Sequence, residues 1–370
     1  MRHIYITAQS CVAGMLLTED ICTEAGACLI PKGTLVTEDL EKKVKRFRLK
    51  PIQVEIYDDN LVVEEIKGFE KNITKREMSP ELTQSYSEAK QEVKEVLDAI
   101  NSGKSLDSRN VDNALVNIRK NVHDSFDVLK CIDSIRTVDE YTYAHCVNVS
   151  LLAMTLARWL GLDSKVVEEI AKAGLLHDVG KAKVDTGILN KKGSLLPEEY
   201  EEIKNHTTYG YRMVENMHDI SKGIKMGVLM HHERNDGSGY PLGAKGDQIH
   251  QYAKVLAIAD VYDAMTSDKV YSKRRSVFEV LRYMQEEMVN LLDRIMLNVF
   301  IERIVCHYIG DFVMLNTGEI GELMHVNPLY PLKPIVKIQN VFVDLFYEKD
   351  VELSELLWDY SKYMYIDNER

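Results

Sequence analysis

The stretch HHERNDGSGYP, residues 231–241, sets two imidazoles side by side, adds an acid, and then breaks into Gly-Ser-Gly-Tyr-Pro. Helical neighbours diverge by about 100°. His231 and His232 therefore do not readily hold one ion, but each can serve one of two adjacent ions. Elsewhere, His177-Asp178 closes an apolar helix just before Gly180, which reads as a helix stop. Such a step can give an imidazole to one ion and a carboxylate oxygen to another. A lone His-Asp pair says little, and the chain carries its own control. His123-Asp124 lies mid-helix with no glycine stop and no lysine three residues on, and it reads as solvated surface. His145 shares a helical face with Val149, Leu152 and Leu156, where a single histidine is more often a satisfied core residue. His206 follows a helix opened by Pro197. Asp260 ends the apolar run VLAIAD, where a carboxylate needs a partner; a helix cap or a buried ion pair is the plain alternative. Together these are five His and two Asp on helices that can converge. Mixed nitrogen and oxygen ligands suit Fe, Mn or Zn and suit Ca or Mg poorly. Adjacent ligands at two places favour two ions.

The elements that would position them are mainly helical. Residues 79–308 carry apolar positions at three- and four-residue spacing, including a long pattern over 111–136 with Val111, Leu115, Ile118, Val122, Phe126 and Leu129. Ser79-Pro80 reads as a helix start and residues 101–110 as a loop. Residues 1–70 read as a small, mostly β module with a short helix over 36–47. Residues 309–370 return to β texture, with Asn316-Thr317-Gly318 as a hairpin signal.

The 370 residues allow two or three domains, and 45% hydrophobic with 28% charged residues is an ordinary globular balance. No apolar run of about 18 residues suggests a membrane span, and the N-terminus has no secretory h-region, so a cytoplasmic protein is expected. Six cysteines without a CxxC pair read as free thiols. A net charge of -12 argues against binding a nucleic-acid polymer. It leaves room for a small anion at a local cluster, Lys269, Lys273, Arg274 and Arg275 against one Asp268.

HDVGK (177–181), HHERNDGSGYP and IADVYDAMTSDKVYSK (258–273), in that order, resemble the HD-GYP family of HD metal-dependent phosphohydrolases over roughly residues 110–308. The resemblance implies an all-helical HD-type catalytic domain with a β-rich N-terminal module and a short β-rich C-terminal extension. It implies metal ligands at His145, His177, Asp178, His206, His231, His232 and Asp260. Asp178 would bridge two ions, with His145, His177 and Asp260 on one and His206, His231 and His232 on the other. Lys181 would stand at the scissile phosphate, and Tyr240 at the pocket rim, unless its turn is only structural. Lys269 and Lys273 would contact phosphate. Two departures stand out. Some members hold a third metal through a glutamate where this chain has Tyr141, so two ions are expected. Lys269 replaces the usual arginine, and Ser272 stands where a second basic residue often sits. Lysine keeps the charge and loses the bidentate fork.

The implied activity is hydrolysis of cyclic di-GMP to linear pGpG, and onward to GMP where a second cut follows, by a hydroxide activated by two divalent ions. Iron or manganese is expected, with zinc or nickel as alternatives. The competing readings are a catalytically weak cyclic-dinucleotide-binding regulatory module and a hydrolase of another cyclic dinucleotide. The N-terminal module would serve regulation, through a homodimer or a signalling partner.

Overall fold

The computed structural model describes residues 80–101, 108–120, 128–129 and 141–357, apart from 190, 192, 216, 218–219, 268–274 and 339–340, together with segments of residues 2–56. The chain divides into two compact units. One is Arg76–Arg303; the other joins Met1–Lys75 to Ile304–Arg370.

The Arg76–Arg303 unit is helical. It opens with α1 (Pro80–Asn101) and α2 (Ser108–Lys120), so Ser108–Asn110, expected in a loop, are already helical. Val111 and Leu115 are buried as their spacing requires, and Val128 and Leu129 are helical and buried, while Val122, Phe126 and the His123-Asp124 control lie outside the described residues. Then come α3 (Tyr141–Trp159), α4 (Ser164–Leu176), a 3-10 turn (Val179–Lys183), α5 (Thr186–Leu189), α6 (Pro197–Lys204) and α7 (His206–Glu215). They are followed by α8 (Lys222–Met230), α9 (Gln251–Thr266), α10 (Val277–Glu286) and α11 (Arg294–His307), the last of which runs across the boundary between the units.

Two helices form the centre. In α3 every residue from His145 to Ala157 is buried, and α9 buries Ala253 and the run Val255–Asp260. A helix apolar on all sides needs neighbours on all sides. Accordingly α3 packs on α1, α4 and α9, while α8 packs on α4, α7 and α9. Polar side chains on these central helices therefore point into protein.

The other unit is β-rich among its described residues. Strands β1 (Arg2–Ile6), β2 (Leu16–Leu17) and β5 (Ile52–Ile56) form an antiparallel sheet in the order β1-β5-β2. Strands β3 (Ile21–Cys22) and β4 (Cys28–Ile30) pair with each other. Of the helix expected over 36–47, Leu40 and Glu41 are helical and most of the rest lies outside the described residues. The C-terminal strands β6 (Phe312–Leu315), β7 (Ile320–His325), β8 (Ile335–Ile338), β9 (Val341–Asp344) and β10 (Leu353–Leu356) make a sheet in the order β10-β6-β7-β8-β9. Gly318, at φ 85°, makes the expected hairpin between β6 and β7. Among the described residues no helix is long and apolar enough to cross a membrane.

Candidate metal centre

Three of the histidines sit where helices end. His177 is the C-cap of α4, His231 is the C-cap of α8, and His206 follows the end of α6. The last carbonyls of a helix lack intrahelical partners. Each ring uses one of them, three residues back: His177 Nδ1 donates to Gly174 O at 2.7 Å, His206 Nδ1 to Ile203 O at 2.6 Å, and His231 Nδ1 to Val228 O at 2.8 Å. A proton on Nδ1 leaves the Nε2 lone pair free. His145 lies inside α3, where carbonyls are already committed to the helix. Its Nδ1 donates instead to Asp263 Oδ2 at 2.7 Å.

Helix ends thus set the tautomers, and close backbone packing sets the distances. Gly180 is not a left-handed stop, because it is absent from the positive-φ glycines. Its need for glycine is steric: a Cβ there would overlap the carbonyl of His206 and the amide of Gly210. The 3-10 turn carrying Asp178 can therefore lie directly on the start of α7. Asp178 Oδ1 is then 3.4 Å from His206 Nε2, while Oδ2 is 3.4 Å from His177 Nε2 and 3.7 Å from His145 Nε2.

Among the described residues, ligand-capable atoms gather in two groups, each within 4.8 Å: His145, His177 and Asp178; and Asp178, His206, His231 and His232. Asp178 belongs to both. Asp260 stands beside them, 3.1 Å from His145 Nε2, 4.0 Å from His177 Nε2 and 3.9 Å from His232 Nδ1. Lys181 Nζ reaches Asp178 Oδ2 at 2.5 Å. Lys269 and Lys273 lie outside the described residues.

The donor set fits a cation. The Nε2 atoms of His206 and His231 face each other at 3.3 Å, yet both rings carry their proton on Nδ1. Two lone pairs that close repel unless positive charge lies between them. His177 Nε2 and Asp178 Oδ1 are buried without a hydrogen-bond partner, a costly arrangement that a metal resolves. Burial pushes the imidazolium form of His206 down, that of His231 far down and that of His232 to about 3, which keeps them in the neutral, ligating form. Burial opposes the charge on Asp178, but Lys181, His177 and His206 outweigh it and hold the carboxyl well below its ordinary range. Asp260 is held low in the same way, against burial, by His145, His232 and His177. His145 runs the other way. Burial would lower it, and hydrogen bonds to Asp260 and Asp263 raise it to about 10.

The turn after the histidine pair has its own scaffold. Gly237 is left-handed at φ 84°. A Cβ at Gly239 would overlap the backbone of His232, Glu233 and Arg234. The buried Glu233 carboxylate accepts from Leu242 N at 2.7 Å and Ala244 N at 2.9 Å, which folds the turn back over the pair. Tyr240 is half-buried, its ring stacked on His232 at 4.7 Å.

Residues 130–295 match the family model described as "HD domain". That segment is similar to an HD domain. The chain is 35% identical over 236 residues to a cyclic di-GMP phosphodiesterase of Pseudomonas aeruginosa, covering 64% of this chain and 57% of that one. It is 37% identical over 160 residues to a cyclic di-GMP phosphodiesterase of Thermotoga maritima, covering 42% and 43% of the two chains. The chain therefore spans about half the length of the curated relatives it matches. Among solved structures, an HDG"Y"P protein of Bdellovibrio bacteriovorus aligns with a TM-score of 0.50 at 15% identity, over 81% of this chain and 98% of that one. That likeness speaks for the fold.

Two acids of the HD-like segment escaped the sequence reading. Glu233 has the signal of an acid fixed directly behind the histidine pair. Asp263 follows Asp260 by three residues, which puts both carboxylates on one face of an apolar helix.

Proposed function

We propose that the HD-like segment is a metal-dependent phosphodiesterase that hydrolyses cyclic di-GMP to linear pGpG, with GMP as the product of a second cut. The observation that carries this reading is the double membership of Asp178. One carboxylate oxygen faces His206 and the other faces His145 and His177, the arrangement needed to share one acid between two ions. His145, His177, Asp178 and Asp260 would hold one divalent ion, and Asp178, His206, His231 and His232 the other. The mixed imidazole and carboxylate set favours iron or manganese, with zinc or nickel as substitutes. Such ions, when bound, supply a nucleophile at neutral pH and offset the charge of the phosphodiester.

The chain's own residues do the rest. Lys181 already holds its ammonium at Asp178, with about a third of its side chain exposed. From there it can stabilise charge on the phosphoryl oxygens. Tyr240, stacked on His232, steadies that ring and presents a polar tip to the ligand. Lys269 and Lys273 would take the second phosphate. The N-terminal segment is assigned to regulation or partner contact, in a cytoplasmic setting.

The test is a product assay. The full chain is loaded anaerobically with Fe(II), and separately with Mn(II), and cyclic di-GMP is followed by chromatography. Conversion to pGpG that is lost in Asp178→Ala is the expected result. No conversion by protein carrying two ions per chain would sink the proposal, and faster conversion of a hybrid cyclic dinucleotide would reassign the substrate.

A further inference from the structure

We infer that Asp263, Asn148 and Tyr86 form a positioning relay that holds His145 as a ligand and ties α1 to the metal centre. The inference rests on the metal-centre reading above and adds residues to it. His145 Nδ1 donates to Asp263 Oδ2 at 2.7 Å. The other oxygen, Asp263 Oδ1, accepts from Asn148 Nδ2 at 2.9 Å, and Asn148 Oδ1 accepts from Tyr86 Oη at 2.7 Å. Asp263 is fully buried, and Asn148 and Tyr86 are each 3% exposed. No other amide orientation satisfies both ends, since a flipped Asn148 would turn its carbonyl toward a carboxylate.

The direction of the chain matters. A carboxylate at Nδ1 keeps the proton there and fixes the ring so that Nε2 is the atom facing Asp260 and Asp178, at 3.1 and 3.7 Å. A carboxylate partner also raises the basicity of a ligating imidazole. His177, His206 and His231 are fixed locally, by carbonyls of the helices they end. His145 is fixed at long range, across 118 residues of sequence to Asp263. The last link comes from α1, which lies outside the 130–295 segment that matches the family model. A shift of α1 withdraws the Tyr86 hydroxyl, frees Asn148 and loosens Asp263 behind His145. The centre is therefore open to control by the helix that leads into it.

The experiment is an Mn(II) titration of the full chain, followed by the electron paramagnetic resonance of free Mn(II), with melting curves in chelator alongside. Wild type is compared with Asp263→Asn and Tyr86→Phe. The expected result is two ions in wild type, with one of them weakened about 10- to 100-fold by Asp263→Asn. Tyr86→Phe weakens the same ion by a smaller factor, and in both variants the second ion keeps its affinity. A merely structural role would weaken both ions alike, or lower the melting temperature in chelator and leave both affinities intact. Either outcome overturns the relay. Wild type that binds no Mn(II) overturns the metal centre itself. Where Asp263→Asn does not fold, Tyr86→Phe carries the comparison, since it removes one hydroxyl and keeps the ring.

Discussion

Replacing Gly180 with alanine tests whether backbone packing sets the site. The added methyl would overlap the His206 carbonyl and the Gly210 amide, which are backbone atoms with no flexible end to swing aside. Carbon and oxygen regain ordinary contact near 3.5 Å, so the start of α7 must retreat from the 3-10 turn by on the order of 1 Å. Overpacking of this kind costs about 1–3 kcal/mol. For a unit of this size that is a fall in Tm of about 2–12 °C. The same retreat carries His206 away from Asp178, now 3.4 Å distant. A misplacement of about 1 Å in a catalytic constellation can cost roughly 100-fold in rate. Gly187→Ala is the control, because that exposed helical glycine would meet only the end of the Asp185 side chain. The assay is thermal melting of the chelated chain and turnover of the Mn(II)-loaded chain. Gly180→Ala with the melting temperature and turnover of wild type would refute the argument that this contact positions His206.

Three further outcomes follow from the geometry. Glu233→Ala strips Leu242 N and Ala244 N of their acceptor, so a urea melt ought to show a loss of about 2–4 kcal/mol, and an unchanged midpoint would mean the turn holds itself. His231→Gln ought to reduce the Mn(II) count from two per chain to one, since His231 belongs to only one of the two groups; two ions at wild-type affinity would contradict the assignment. In chelator, stability ought to fall as pH drops from 7 to 4.5. Burial depresses His206, His231 and His232 in the folded state, whereas unfolded histidine titrates near 6.5, so below that pH the unfolded chain binds the extra protons. His145, raised to about 10, contributes stability that is complete below 6.5 and is lost only on the alkaline side. A urea midpoint that rises into acid would show the three rings to be protonated in the fold.

The seven residues proposed as ligands drew notice in the sequence because their types are chemically expensive where they stand. An imidazole pair before a forced turn and an acid closing an apolar run both demand partners. What was not legible is what holds them. Gly180 reads as a helix stop in one dimension, and only the approach of α7 shows that it is a contact point. Asp263 gave a faint signal through its spacing from Asp260. Tyr86 gave none, because nothing in a tyrosine 59 residues before His145 marks it as facing Asn148. The helical domain followed from periodicity, since every turn repeats the pattern locally. The strand order β1-β5-β2 did not, because β5 comes from 35 residues beyond β2, and pairing at that separation leaves no local trace.

The central claim is that Asp178 is shared by two ions. Anomalous diffraction from Mn(II)-loaded crystals tests it most directly. Two peaks are expected, one on each side of the Asp178 carboxylate, with His145, His177 and Asp260 around the first and His206, His231 and His232 around the second. A single peak, or peaks away from Asp178, would contradict it.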